Sequence, residues 1–233
     1  MSRTRPAVAI DGPAGAGKTT VTRAVADRLG YVLVGTGSLY RAVALAAERR
    51  GVAWDDEAGV GALARELAAR DALGFAAAPG GAERVLLDGE DVSRALRAEG
   101  IGQGASRVSA MPAVRAALLD LQRAAGVEGG VVLEGRDIGT VVLPDAEAKF
   151  FLTASLEVRA RRRYDELLRR GEPAELERVR AEVRERDRRD SEREVAPLRQ
   201  ADDAVLIDSS ELTVDEVVAR IVARVREVER SLG

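Results

Sequence analysis

Gly12-Pro13-Ala14-Gly15-Ala16-Gly17-Lys18-Thr19 stands between the apolar run Ala7-Val8-Ala9-Ile10 and a segment of helical periodicity, Thr20 to Leu29, closed by Gly30. Strand, glycine-rich turn and helix in that order form the context in which the pattern G-x-x-x-x-G-K-[ST] cradles phosphates. Glycines allow positive φ and close approach of the main chain, so successive N–H groups wrap an anionic chain that also faces a helix N-terminus. In that pattern Lys18 reaches the β and γ phosphates and the Thr19 hydroxyl is offered to Mg²⁺. A glycine-rich turn of this form would arise by chance in roughly one or two of a thousand chains of such composition. Lys18 is also one of only two lysines in the chain, Lys149 being the other. The eight residues from Gly12 to Thr19 are therefore the candidate nucleoside triphosphate site.

Outward from the loop, the chain alternates. A short strand is expected over Tyr31 to Val34, then a helix from about Ser38 to Arg50 closed by Gly51, and another from Asp55/Asp56 to about Arg70. Between about 73 and 92 the rhythm changes. Leu73 to Ala76, a Pro79-Gly80-Gly81 turn, Arg84 to Leu87 and then Asp88-Gly89 before Glu90 to Val92 read as a small antiparallel meander. The helix–strand rhythm resumes with a helix from Pro112 to about Ala125 and strands at Val131 to Leu133 and Lys149 to Leu152. Helices follow over Thr153 to Arg170 and Ala174 to about Arg189, separated by Gly171 and Pro173, and the last strand is Val205 to Ile207. Thr213 and Glu216 form a capping box for a final helix reaching about Leu232. Short apolar strands spaced by helices imply an α/β fold, a five-stranded parallel sheet with helices on both faces and right-handed crossovers. Ligands of such sheets sit beyond the carboxyl ends of the strands.

The 233 residues, 46% hydrophobic and 32% charged, suit one domain over 1–233. Lys plus Arg is 36 and Asp plus Glu is 39, a net charge of −3, so a nucleic-acid partner is not expected. With neither cysteine nor histidine, disulfide scaffolds, Cys/His zinc sites, thiol nucleophiles and imidazole-based triads are excluded. The polar stub Met1 to Pro6 and the short apolar run after it fall far below a signal h-region or membrane span. The expectation is a cytoplasmic protein with no membrane partner.

A phosphate loop alone does not separate a nucleotide switch from an ATP-driven motor or a small-molecule kinase. Arginines decide the reading. Tyr40 and Arg41 lie just past the second strand, and Glu134-Gly135-Arg136-Asp137 follows the strand Val131 to Leu133. Arg186, Asp190 and Arg193 recur at i, i+4 and i+7, one helical face. Guanidinium groups from three segments aimed at one crevice suit an anionic second substrate. Residues 157–194 hold 13 Arg against 12 Asp and Glu, a near balance that suits salt-bridged helix faces better than a nucleic-acid arm. Within it Arg159, Arg162 and Arg163 cluster ahead of Gly171 and Pro173, as a closing two-helix lid over a triphosphate would require.

GPAGAGKTT, TGSLYR, Gly104-Ala105-Ser106-Arg107-Val108 with Pro112-Ala113-Val114-Arg115, EGRDIGTVVLPDA and ERDRRDSEREVAPL together resemble the bacterial cytidylate kinases, from Ile10 to about Ser209, in that family's order and spacing. The resemblance implies the P-loop NTPase fold with a helical lid at 153–193 and a nucleoside-monophosphate-binding region at 36–110 that includes the β insert at about 73–92. It implies transfer of the ATP γ-phosphate to CMP or dCMP, with Mg²⁺, in pyrimidine nucleotide metabolism, by a monomer. The ATP phosphates would lie on Gly12 to Thr20, hence also on Thr20. Arg41, Arg136 and Arg193 would hold the CMP phosphate, and Thr36 and Tyr40 would also bind the acceptor substrate. Ser106, Arg115 and Asp137 would contact cytosine, and Arg186 and Asp190 the ribose. Lys18, Arg136, Asp137 and the lid residues Arg159, Arg162 and Arg163 make up the expected catalytic set. The chain has Gly35 and Glu134 where the family often has Asp, and neither is included in that set. Another small-molecule or nucleoside monophosphate kinase, or a non-catalytic nucleotide switch, is the competing reading.

Overall fold

Ala7–Asp11 (β1) is buried along its whole length, as a run flanked by neighbours on both sides must be. The computed structural model describes residues 3–77, 83–98 and 100–232, and in it β1 occupies the middle of a five-stranded sheet. Its partners are Val32–Gly35 (β2), Val131–Gly135 (β6), Ala148–Thr153 (β7) and Val205–Asp208 (β8), in the order β2-β6-β1-β7-β8. Every pairing is parallel. Alternation splits the core: Val8 and Ile10 face one layer, Ala7 and Ala9 the other. The first layer is closed by Lys18–Leu29 (α1) and Val214–Leu232 (α8). On the opposite face Ile138, Val142 and Leu143 pack against Ala7, Ala9 and Leu133. The edge strand β8 departs from the expectation of full cover, since Val205 and Leu206 are 42% and 55% exposed.

A second core lies beside the sheet. It joins Gly37–Arg49 (α2), Glu57–Ala69 (α3), Ile101–Val108 (α4) and Pro112–Ala124 (α5) to a three-stranded antiparallel meander. The strands are Leu73–Ala77 (β3), Glu83–Leu87 (β4) and Glu90–Asp91 (β5). Asp88 and Gly89 both have positive φ, 51° and 80°, which is what a tight two-residue hairpin needs. The Pro79-Gly80-Gly81 turn lies outside the described residues. Three features were not anticipated from the sequence: α4, the single turn Ala95–Arg97 and the wide five-residue turn Ile138–Val142 that follows Asp137.

Leu156–Arg169 (α6) and Leu176–Glu192 (α7) form the helical pair after β7. The first starts later than the expected Thr153, because Thr153 completes β7 and the Ser155 hydroxyl caps the helix by accepting from the Val158 amide at 3.3 Å. The second runs about a turn further than expected, to Glu192, so Asp190 is helical and Arg193 sits just past the end.

Gly12 is the tightest point between the sheet and the loop. Its φ is +150°, and a Cβ there would lie 1.9 Å from the Leu152 carbonyl oxygen, an overlap that neither strand can relieve without breaking register. Gly12→Ala is expected to destabilise the protein by at least about 1–3 kcal/mol, the usual scale of such backbone strain, measured by urea unfolding. An unchanged unfolding midpoint would contradict this packing.

Candidate active site

Three glycines shape the phosphate loop: Gly12, Gly15 and Gly17 all have positive φ. The loop then becomes α1 at Lys18, so the helix N-terminus faces the concavity. Lys18 is 7% exposed and its Nζ donates to the Gly12 and Pro13 carbonyls at 2.7 Å each. Burial, reinforced by Arg136, pushes its ammonium well below the usual lysine range. An anion with several charges is the natural complement of such a group. Thr19 and Thr20 are exposed on the first turn of α1.

Glu134, at the end of β6, binds the same turn. One carboxylate oxygen accepts from Thr19 Oγ1 and the other from Thr22 Oγ1, both at 2.9 Å. Sequence reasoning set Glu134 aside for departing from the family's frequent Asp. Its place one residue before Gly135, beyond a sheet strand and opposite the phosphate loop, was the signal available.

The expected acceptor residues converge beside the loop, with Arg136, Arg186 and Asp190 close enough to act on Lys18. Arg136 Nε pairs with Asp190 Oδ2 at 2.9 Å, joining β6 to α7. Asp137 is 5% exposed and receives Arg115 on one oxygen and Arg193 on the other, the latter at 3.4 Å. The Arg115 guanidinium lies 5.6 Å from the ring centre of Tyr40. Thr36 Oγ1 donates to the Glu134 carbonyl at 2.8 Å, fixing β2 to β6 rather than pointing a free hydroxyl at the crevice. Ser106, 4% exposed, accepts from Arg189 Nη2 at 3.3 Å; Arg189 was absent from the expected set.

Charge is crowded here. Burial, with Arg136 beside it, pushes the Arg186 guanidinium down to about 10, and its buried Nε has no hydrogen-bond partner among the described residues. Burial also lowers Arg41 and Arg193. Burial alone would raise the Asp190 carboxyl, but Arg136 and Arg186 hold it below the usual range. A pocket of guanidinium groups that outnumber their carboxylates favours an entering phosphate.

The three expected lid arginines divide. Arg159 is pinned: it donates to the Ala154 carbonyl at 2.9 Å and to the Ala14 carbonyl of the phosphate loop at 3.1 Å, and pairs with Asp187 of α7 at 2.6 Å. Arg162 donates to the Ser209 carbonyl at 2.7 Å and to the Ala16 carbonyl at 3.4 Å. Arg163 lies one position on and, among the described residues, pairs only along its own helix, with Glu166 at 2.9 Å. Asp11, buried beneath the loop, is a further residue that sequence reasoning missed: the expected strand stopped at Ile10 and the expected loop began at Gly12, so Asp11 fell between them.

Among the described residues no cluster of three or more His, Cys, Asp or Glu side chains is arranged to hold a metal, and no helix is long and apolar enough to cross a membrane. The family model for cytidylate kinase matches residues 8–227. The chain is 56% identical over 223 residues to a cytidylate kinase of Geobacter sp. (strain M21), covering 94% of this chain and 92% of that protein. It is 52% identical over 218 residues to one from Methylococcus capsulatus (strain ATCC 33009 / NCIMB 11132 / Bath), covering 94% and 96%. It is 49% identical over 223 residues to one from Pseudomonas aeruginosa (strain UCBPP-PA14), covering 95% and 96%. The phosphate loop, the arginine-lined crevice facing it and these nearly full-length likenesses agree, and the chain belongs to the cytidylate kinase family of nucleoside monophosphate phosphotransferases.

Proposed function

We propose that the chain transfers the γ-phosphate of ATP to CMP or dCMP in a direct in-line displacement, giving ADP and CDP or dCDP. One observation carries the assignment of roles: a buried lysine in a phosphate loop lies within electrostatic reach of an arginine cluster built from α2, the end of β6 and the end of α7. A dianionic acceptor phosphate is already nucleophilic at neutral pH, so the reaction needs positioning and charge neutralisation more than a strong base. Lys18 and the loop amides hold the β and γ phosphates. Arg41, Arg136 and Arg193 hold the acceptor phosphate, Arg186 and Asp190 the sugar, and Ser106, Arg115 and Asp137 the base.

The hard oxygen donors at the start of α1 fit Mg²⁺, which would be held by triphosphate oxygens together with Thr19, with Glu134 behind it. When bound it neutralises charge on the β and γ oxygens. The helices α6 and α7 act as the lid over 153–193, and residues 36–110 as the acceptor-binding region. Because α6 is anchored at Arg159 and Arg162, the part free to close is the Arg163-to-Arg180 end. Both halves of the site come from one chain, in keeping with a monomer of the cytoplasm acting on free nucleotides, with no nucleic-acid partner. Measuring ADP formation with each nucleoside monophosphate in turn tests the reading. Release that depends on CMP or dCMP is expected, and equal ADP release without acceptor would favour a nucleotide switch instead.

Lys18→Ala removes a charge from the transition state and is expected to lower kcat by about 10²-fold or more. A folded variant retaining more than about a tenth of wild-type kcat would sink the role. Arg41→Met and Arg136→Met should each weaken CMP binding far more than binding of a non-hydrolysable ATP analogue, read by calorimetry; equal losses would put them on the wrong substrate.

The base is read by polarity. Cytosine offers an N4 donor with N3 and O2 acceptors, whereas uracil presents O4 as acceptor and N3–H as donor. The Asp137 carboxylate complements the first and Arg115 the second and third. Two mismatched buried polar groups at about 1–3 kcal/mol each imply a preference for CMP over UMP of about 10² or more in kcat/KM. Asp137→Ala should erode that preference, and an unchanged CMP/UMP ratio would locate the base elsewhere.

A further inference from the structure

Asp11 ends the central strand and immediately precedes Gly12, where the phosphate loop begins. Its side chain is 4% exposed. One oxygen accepts from the Ile138 amide and the other from the Gly139 amide, both at 2.8 Å. Those two amides open the wide turn Ile138–Val142, directly after Arg136 and Asp137. The strand register adds a second constraint, since Asp11 lies level with Gly135 of β6. The residues on either side of the acceptor pair are thus both held by Asp11: Gly135 through the backbone ladder, and Ile138 and Gly139 through the carboxylate.

A buried carboxylate is an expensive way to satisfy two backbone donors. The cost shows in its protonation: burial, with Asp137 adding repulsion, raises the carboxyl from its ordinary value to about 6, against the lowering effect of the two amides and Lys18. A carboxylate does have one property that a hydroxyl lacks. Its two oxygens receive two consecutive amides at a fixed spacing and so set the orientation of that peptide.

We propose that Asp11 is a positioning residue for the transfer, its carboxylate clamping the segment behind Arg136 and Asp137 to the strand end from which the phosphate loop springs. The clamp keeps the acceptor half of the site in register with the donor half. The inference rests on the assignment of Arg136 and Asp137 to the acceptor nucleotide.

Asp11→Asn puts an NH₂ group against a backbone N–H while keeping shape and volume. CMP binding by calorimetry should weaken about tenfold or more, and kcat should fall similarly, as for loss of a charge-assisted hydrogen bond at a buried site. Binding of a non-hydrolysable ATP analogue should stay within about twofold. Unchanged CMP binding, or equal loss for both ligands, would overturn the positioning role. Arg136→Met is measured beside it: if that variant leaves CMP binding untouched, the acceptor assignment and the clamp fall together. If Arg136→Met weakens CMP and Asp11→Asn does not, the clamp alone fails.

The wild-type protein supplies a measurement independent of whether the variant folds. The charged groups facing Asp11 are Asp137 and Lys18, with the Lys149 stem packed behind Gly139. As pH falls through about 6, a proton takes one acceptor oxygen. The Ile138 and Gly139 amide resonances should then shift together, and affinity for cytidine, which carries no phosphate to titrate, should fall in the same step. Amides that titrate at separate midpoints, or that shift together while cytidine affinity stays flat, would overturn the clamp.

Discussion

Guanidinium groups keep their charge when buried, and the crevice of this protein draws arginines from α2, β6, α5 and α7 into one space. Like charges at that density repel unless something of opposite sign stands among them. Asp137, Asp190 and Asp187 do so, each taking at least one arginine, and the strand ends and helix turns that present them follow from that need. The balance is incomplete around Arg186 and Arg41, whose guanidinium groups are lowered by burial. The protein carries a local excess of positive charge that suits an anionic ligand, so ligand binding and the electrostatics of the folded chain are one problem.

The end of α7 is where these requirements meet. Within about two turns, Asp187 reaches Arg159, Arg189 reaches Ser106, Asp190 reaches Arg136, and Arg193 beyond the helix reaches Asp137. One helix end therefore touches the phosphate-loop side, α4 and the β6 loop together. These four contacts tie the two halves of the candidate site together through one helix end. They require no new element, only the extra turn of α7.

Much of this was legible in the sequence, for reasons that differ from element to element. The loop, the flanking strand and α1 follow from glycine chemistry and from a lysine that is nearly unique in the chain. The Asp88-Gly89 hairpin follows from backbone preference alone. The helix α4 was hidden because Gly102 and Gly104 dilute its helical signal, and Gly104 is required where a Cβ would strike the Trp54 ring. The turn after Asp137 was hidden because its ordering group, Asp11, is more than a hundred residues away in sequence. Arg189 was missed for a similar reason: its partner Ser106 on α4 becomes a neighbour only once the sheet and the second core are assembled, whereas Glu134 was seen and set aside because the family often has Asp there. Polar groups whose partners are distant leave little local pattern to read.

The chain's near-absence of lysine has a consequence for handling the molecule. Lys18 is enclosed by the Gly12 and Pro13 carbonyls, and Lys149 donates to the Pro144 carbonyl while pairing with Asp203 at 2.8 Å. Both are under 9% exposed. Acylating reagents, amine-reactive dyes and amine-coupled sensor surfaces therefore find no lysine side chain on the outside of this protein, whereas dicarbonyl reagents that condense with guanidinium meet a surface crowded with targets. Attachment chemistry that is routine for lysine-rich enzymes can here be redirected to an introduced thiol, which would be the only one in a chain that has no cysteine.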